Sequence, residues 1–300
     1  MGVWGAGLYS GDFAMDLRST VSAVARLPFD SEKLIDILCE TEPRAANNSD
    51  DDEHTIFWLV VADQFAKRSI SCDRTLDNAL AIIKGGSDLA IHEKLGMKRS
   101  DLAKRRKILD DLRVRLLQPQ GTSRQRSVLK RPQPFLFDGG DIFVYPTCGG
   151  ACINPYVASK EQSRDGVGRL GWKQDSWSAM IIVDRGRAFG FLTWYRPLTL
   201  STAVTHKPSI ATLFLDVLWK LERAGTCSAL HFKRMELEKV GTLMIDNEKL
   251  KRSFPHLRPG TYQAINNISL ANALSVGPSI PAILMRKHST ILGLEQILSD

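Results

Sequence analysis

Few residues in this chain have the type and spacing that chemistry needs, and none completes a catalytic pattern. Gly166-Val167-Gly168-Arg169-Leu170-Gly171 spells the dinucleotide-binding fingerprint letter by letter. That fingerprint works when a strand delivers the glycines and a helix N-terminus follows, so that backbone N–H groups hold a pyrophosphate. Here polar Lys160–Asp165 precede it and Trp172-Lys173-Gln174-Asp175 follow, so the stretch reads as a loop. His92-Glu93 opens like a zinc-peptidase motif, but Gly96 stands where the second imidazole belongs. Cys148-Gly149-Gly150-Ala151-Cys152 spaces two thiols one residue too widely for a redox or zinc pair, and no second pair follows. His206, His231, His256 and His288 are scattered, and no nucleophile elbow accompanies them. No catalytic residue, metal ligand or cofactor is therefore expected. An enzyme with an unfamiliar site around Cys148, Cys152 or Asp141 ranks third among the readings.

Charge is the larger signal. The net charge of +7 is unevenly spread: residues 1–92 balance at −7, residues 93–131 at +9 and residues 132–300 at +5. The basic segment sets Lys104, Arg105, Lys107, Arg113 and Arg115 on a helix and Arg124, Arg126, Lys130 and Arg131 on the stretch after it. Such a segment attracts either an acidic protein surface or nucleic acid. The acidic residues upstream could also neutralise it from within. Aromatic residues form a second candidate surface, made of Trp172, Trp177, Trp194 and Tyr195. Phe189 and Phe191 nearby alternate as on one face of a strand.

The elements that must position these groups follow from periodicity. Phe13, Leu17, Val21 and Val24 predict a helix capped by Asp12, and Leu34, Ile35 and Leu38 another over 31–40. Residues 43–53 read as an acidic loop. His54–Lys67 is apolar on nearly every face and predicts a central buried helix. Asp73 should cap the next, ended by Gly85-Gly86. Ser100 opens a long helix to about Leu117, with Leu102, Ile108, Leu109, Leu112 and Leu116 facing inward and the basic residues outward. Five or six helices thus fill residues 1–118. Residues 119–134, with three prolines, read as an extended linker.

Beyond it the texture changes. Asp141–Tyr145, Trp177–Val183 and Ala188–Tyr195 predict strands, the last two joined by a turn at Asp184-Arg185-Gly186-Arg187. Pro208–Arg223 has helical spacing, Thr242–Ile245 predicts a strand, Asp246 caps a short helix to Phe254, and Asn267–Leu274 suggests another. The expected fold class is α+β: an all-helical domain over 1–118, the linker, and a mixed α+β domain over 135–300.

The composition, 43% hydrophobic and 24% charged, is that of a globular chain. Its longest apolar run, Ile56–Ala62, is far short of the roughly 20 residues a membrane span needs, so no membrane partner is expected. Met1–Ala6 lacks the pattern of a secretory leader, and five cysteines read as reduced thiols of a cytosolic protein.

Two stretches resemble known families. Met1-Gly2-x-Trp4-Gly5-x-Gly7 with Asp12-x-Ala14-x-Asp16-x-Arg18 resembles the opening of the bacterial domain-of-unknown-function family 4259, as do Phe57-Trp58-Leu59 and Lys104-Arg105-Arg106-Lys107 running into Leu116-Leu117-Gln118-Pro119. That likeness implies a helical fold without a known activity. Gly140-Asp141-Ile142-Phe143-Val144-Tyr145-Pro146 is similar to the first strand of small SH3-like immunity proteins of polymorphic-toxin systems, and Glu238–Leu243 to a later one. It implies a small SH3-like sheet or barrel with a non-catalytic binding role in bacterial conflict. The expectation is a cytosolic bacterial interaction protein with a macromolecular partner, protein ahead of nucleic acid; the alternative is nucleic-acid binding through residues 98–131.

Overall fold

A computed structural model describes residues 5–118, 126–156, 174–213, 218–257, 260, 269–274 and 291–299. The fold is α+β, and the chain divides into two compact units that part between Arg131 and Pro132.

The N-terminal unit is helical: α1 (Asp12–Val24), α2 (Ser31–Thr41), α3 (Pro43–Asn47), α4 (His54–Ala66), α5 (Asp73–Gly85), α6 (Ser87–Lys94) and α7 (Arg99–Leu117). Helix α4 is its axis. Phe57 through Phe65 are all buried, because α1, α3, α5, α6 and α7 pack around it. A helix apolar all round has no solvent face to offer. Two expected elements differ. The acidic loop contains α3, whose Pro43 at the first turn suits a helix start. Helix α6 follows Gly86, whose φ of 69° ends α5. Nor do Asp12 and Asp73 cap. Gly11 and Cys72 hold those positions, and each aspartate lies in the first turn, where it complements the helix dipole.

The C-terminal unit is built on an antiparallel sheet of β1 (Asp141–Cys148), β2 (Ala151–Cys152), β3 (Ser176–Ala188), β4 (Leu192–Leu200), β5 (Trp219–Leu221), β6 (Glu238–Thr242) and β7 (Ile291–Leu292). The order is β2-β1-β3-β4-β5-β7, with β6 also paired to β1. Both faces are covered. Ile142, Val144, Ile181, Leu198 and Trp219 pack with Leu250, Phe254 and Ile297. Their neighbours Phe143, Tyr145, Met180, Ile182 and Tyr195 pack on the other face with Phe137, Met235, Leu237 and Leu270. Double-sided burial explains the near-continuous apolar runs of the central strands.

Two expectations are corrected here. The turn does not lie at 184–187: β3 continues to Ala188 and the chain reverses at 189–191, so Phe189 and Phe191 are turn residues. Gly186 serves a different purpose, because a Cβ there would stand 2.6 Å from the Trp194 indole. The predicted helix over Pro208–Arg223 yields a short α8 (Ile210–Leu213) and then strand β5. Trp219-Lys220-Leu221 pairs with β4, at Leu200 and Leu198 through its two apolar residues. A short apolar run satisfies either period, and the open edge of β4 decided it.

Candidate functional site

Helix α7 carries most of the basic residues predicted to bind, and it sorts them by angle. Arg105, Leu109 and Leu112 are its buried residues. Arg105 is therefore an inward residue, contrary to its predicted outward role. Its Nε and NH2 donate to the two carboxylate oxygens of Asp88 at 2.6 and 2.8 Å. Its NH1 donates to the carbonyls of Gly7 and Ala6 at 3.1 and 3.4 Å. The physical reason lies in spacing: Leu109 and Leu112 stand four and seven residues after Arg105, on one face of the helix. Asp88 also accepts from Thr55 Oγ1 at 3.3 Å, and His92 Nε2 lies 3.7 Å from Asp88 Oδ1. Burial first, then the Arg105 charge, hold the His92 imidazole below its ordinary pKa, in the neutral form.

A second polar knot lies on Asp63, which is buried on α4. Its carboxylate takes Lys67 Nζ at 2.6 Å and Arg115 NH2 at 2.9 Å. The Tyr9 hydroxyl donates to it as well. Burial, then hydrogen bonding to Asp63, push the Tyr9 phenol far above its ordinary pKa. Arg115 is thus committed to its own unit.

The remaining cations of α7 face outward. Lys104 pairs only with Asp101, three residues away and largely in solvent. Lys107 and Arg113 are exposed, as are Arg99 and Arg106, and none of the four forms an ion pair among the described residues. Arg99, Arg106 and Arg113 recur every seven residues, so they form one ridge with a rise of about 10.5 Å between members. Val114 and Leu117, each 57% exposed, lie beside them. Among the later basic residues, Arg126 donates to the Phe29 carbonyl at 2.8 Å, and Leu129 N donates to the Arg26 carbonyl at 2.8 Å. That part of the expected tether is held against the α1–α2 connection. Lys130 and Arg131 are exposed, and Arg124 lies outside the described residues.

The aromatic surface does not form as expected. Trp194 and Tyr195 are 1% and 0% exposed. Trp194 fills the space Gly186 leaves, and Tyr195 stacks edge-on to Phe137 while its hydroxyl accepts from Leu136 N at 2.8 Å. Both belong to the interior because the sheet is buried on its two faces. Trp177 is half-buried with Lys207 Nζ 5.4 Å above its ring, and Trp172 lies outside the described residues.

The candidate enzyme site is not assembled. Thr147 faces Cys152 and Cys148 faces Ala151 across the β1–β2 hairpin, so the two thiols point to opposite faces. Asp141 is bound by Lys239 Nζ at 2.6 Å and Thr242 Oγ1 at 3.0 Å; burial raises its pKa, but these bonds outweigh it and the net shift is downward. Among the described residues, no group of three or more His, Cys, Asp or Glu could hold a metal ion.

Titratable groups do converge in the N-terminal unit. A cavity of about 330 Å³ opens between Gly7–Ala14, the start of α4, and the facing sides of α6 and α7, with His92 and Arg105 in its wall. No sequence motif marks it. The available signal was Arg105 in line with Leu109 and Leu112, an arginine where the helix pattern wants an apolar residue.

No protein-family model, no curated protein and no solved structure matches this chain.

Proposed function

We propose that this chain is a non-catalytic binding protein whose N-terminal unit docks an acidic macromolecular partner on the outer face of α7. The observation that carries the reading is the ridge of Arg99, Arg106 and Arg113, flanked by Lys107, with no carboxylate paired to any of them among the described residues. An exposed cluster of arginines raises the local potential, and complementary potentials accelerate encounter with an acidic surface. Exposed Val114 and Leu117 favour a protein surface with an apolar centre and an acidic rim. The surface excludes Arg105, Arg115, Trp194 and Tyr195, which serve the interior.

Nucleic acid is the second reading, favoured by the balance of +9 over residues 93–131. One comparison separates the two. Wild-type protein and the triple reversal Arg99→Glu, Arg106→Glu, Arg113→Glu are used as baits in host lysate and titrated onto DNA and RNA at about 50 and about 200 mM salt. A protein retained by wild type and lost from the reversal supports the first reading. A salt-sensitive shift lost in the reversal supports the second. If both are absent, the α7 surface is not a binding site.

No helix of the described residues is long and apolar enough to cross a membrane. Free cysteines among the described residues are in keeping with a reducing cytosol. A role in bacterial toxin immunity or phage defence, and an SH3-like kinship of the sheet, rest on sequence resemblance. The segments carrying that resemblance form β1 and β6, which pair.

A further inference from the structure

We propose that the end of α4 in the N-terminal unit carries a binding site for a phosphate group, free or on a small ester. The inference does not rest on the α7 surface. Four cations gather there about the buried carboxylate of Asp63: Arg18, Lys67, Arg68 and Arg115. Lys67 and Arg115 both reach Asp63, at 2.6 and 2.9 Å. Arg18 and Lys67 both lie against the Tyr9 ring, at 5.3 and 5.2 Å from its centre. Arg68 follows Lys67 in the chain, and the Arg18 charge is close enough to act on it.

The balance of charge decides the sign of the ligand. Arg115 cancels Asp63, which leaves Arg18, Lys67 and Arg68 in excess. Neither Arg18 nor Arg68 has an ion-pair partner among the described residues. The opposing case is that cations suit the C-terminus of a helix, and Lys67 and Arg68 follow the last residue of α4. That terminus is equivalent to about −0.5 of a charge, so it leaves the patch about two to three charges positive. A monovalent anion answers one of these charges, whereas a phosphate dianion answers most of them.

The donors are also held in place, which separates this cluster from loose surface cations. The buried Gln64 side chain donates through Nε2 to the Tyr9 hydroxyl, which in turn donates to Asp63. Gln64 Oε1 accepts from Arg68 NH1 at 2.6 Å, and the Gln64 carbonyl accepts from the same nitrogen at 3.1 Å. One nitrogen thus fixes the guanidinium. Its Nε and NH2 have no partner among the described residues, and neither is enclosed. Those two nitrogens form the edge that pairs side-on with two phosphate oxygens. Lys67 is half in solvent and Arg18 is exposed, so both can reach an anion on that edge. Burial, the largest cause, together with the Arg18 charge, lowers the Arg68 pKa, and a bound anion relieves the repulsion.

The test titrates the full chain with sodium phosphate, glycerol phosphate and sodium chloride at a constant ionic strength of about 50 mM, with the Tyr9 ring and Arg68 Nε–H signals followed by NMR. Either phosphate should move both signals to saturation, whereas chloride should not, and the tighter phosphate identifies the source as the free anion or an ester. The double variant Arg18→Gln, Arg68→Gln, read at Tyr9, should weaken phosphate by about tenfold. Lys84→Gln with Lys94→Gln removes the same charge from exposed positions on α5 and α6, and should leave the affinity within about twofold of wild type. Circular dichroism melting curves check the folding of both variants. Phosphate moving the wild-type signals no more than chloride would overturn the proposal. So would an equal loss in the two double variants, because a diffuse field rather than a site would then hold the anion.

Discussion

The two units differ in how much charge they bury. The helical unit encloses Asp88, Arg105, His92 and Asp63, each 3% exposed or less. The sheet unit encloses apolar and aromatic residues on both faces, with hydroxyls such as those of Tyr145 and Tyr195 bonded to backbone. Burying charge costs several kcal/mol per ion before pairing returns it, so the helical unit is held by geometry that tolerates no lost partner. The sheet unit is held by volume, and volume fails gradually.

The sharpest way to break this contrast is a near-isosteric pair of changes. Asp88→Asn keeps the shape but leaves the Arg105 charge without its counterion, and should destabilise by about 3–5 kcal/mol. Ile181→Val in the sheet should cost only about 0.5–1.5 kcal/mol. Urea denaturation of both variants measures the gap, and equal costs would mean the ion pair is not the fastener described.

Gly186→Ala comes next. Its new methyl must displace the Trp194 indole, so about 1–3 kcal/mol should be lost. The variant Trp194→Leu, with the indole gone, should tolerate the same alanine; if it does not, strand backbone rather than the indole demands the glycine.

A smaller effect comes from acid. The folded state holds His92 below its ordinary pKa of 6.5, so the unfolded chain takes up the proton first. Stability from this group is complete above that value and declines as pH falls below it. Comparing melting curves of wild type and His92→Phe between about pH 7 and about pH 5.5 isolates it: wild type should lose more on acidification. Smallest of all is Arg106→Glu, expected within about 0.5 kcal/mol of wild type because the side chain is exposed and unpaired. Its neighbour Arg105 makes the comparison direct, since Arg105→Glu should unfold the unit.

That neighbouring pair also shows how far the sequence is legible. Helix α7 is readable from its leucines, and α4 from its unbroken apolar surface. Which arginine faces inward is not readable from residue type, because charge reads as solvent-facing by default; only its register with Leu109 and Leu112 reveals it. Glycine misleads in a similar way. At 186 it reads as a turn signal, whereas it makes room for an indole eight residues on, a contact visible only once β3 and β4 pair. The strand at Trp219 depended on pairing as well, for three residues carry too little periodicity to choose between helix and strand. The cavity was the least visible feature, since its wall draws on five separate stretches of chain and none of them contains a recognisable motif.

The bond from Arg105 to the Gly7 carbonyl spans 98 positions of sequence. A ribosome adding about 5–20 residues per second needs some 5–20 s to travel that far. Until its end the Gly7 carbonyl lacks this donor, and over the last 17 positions Asp88 is present without its counterion. Birth of this unit is therefore a delayed closure, and the cavity walled by Arg105 is not complete until the final helix arrives to latch the opening loop.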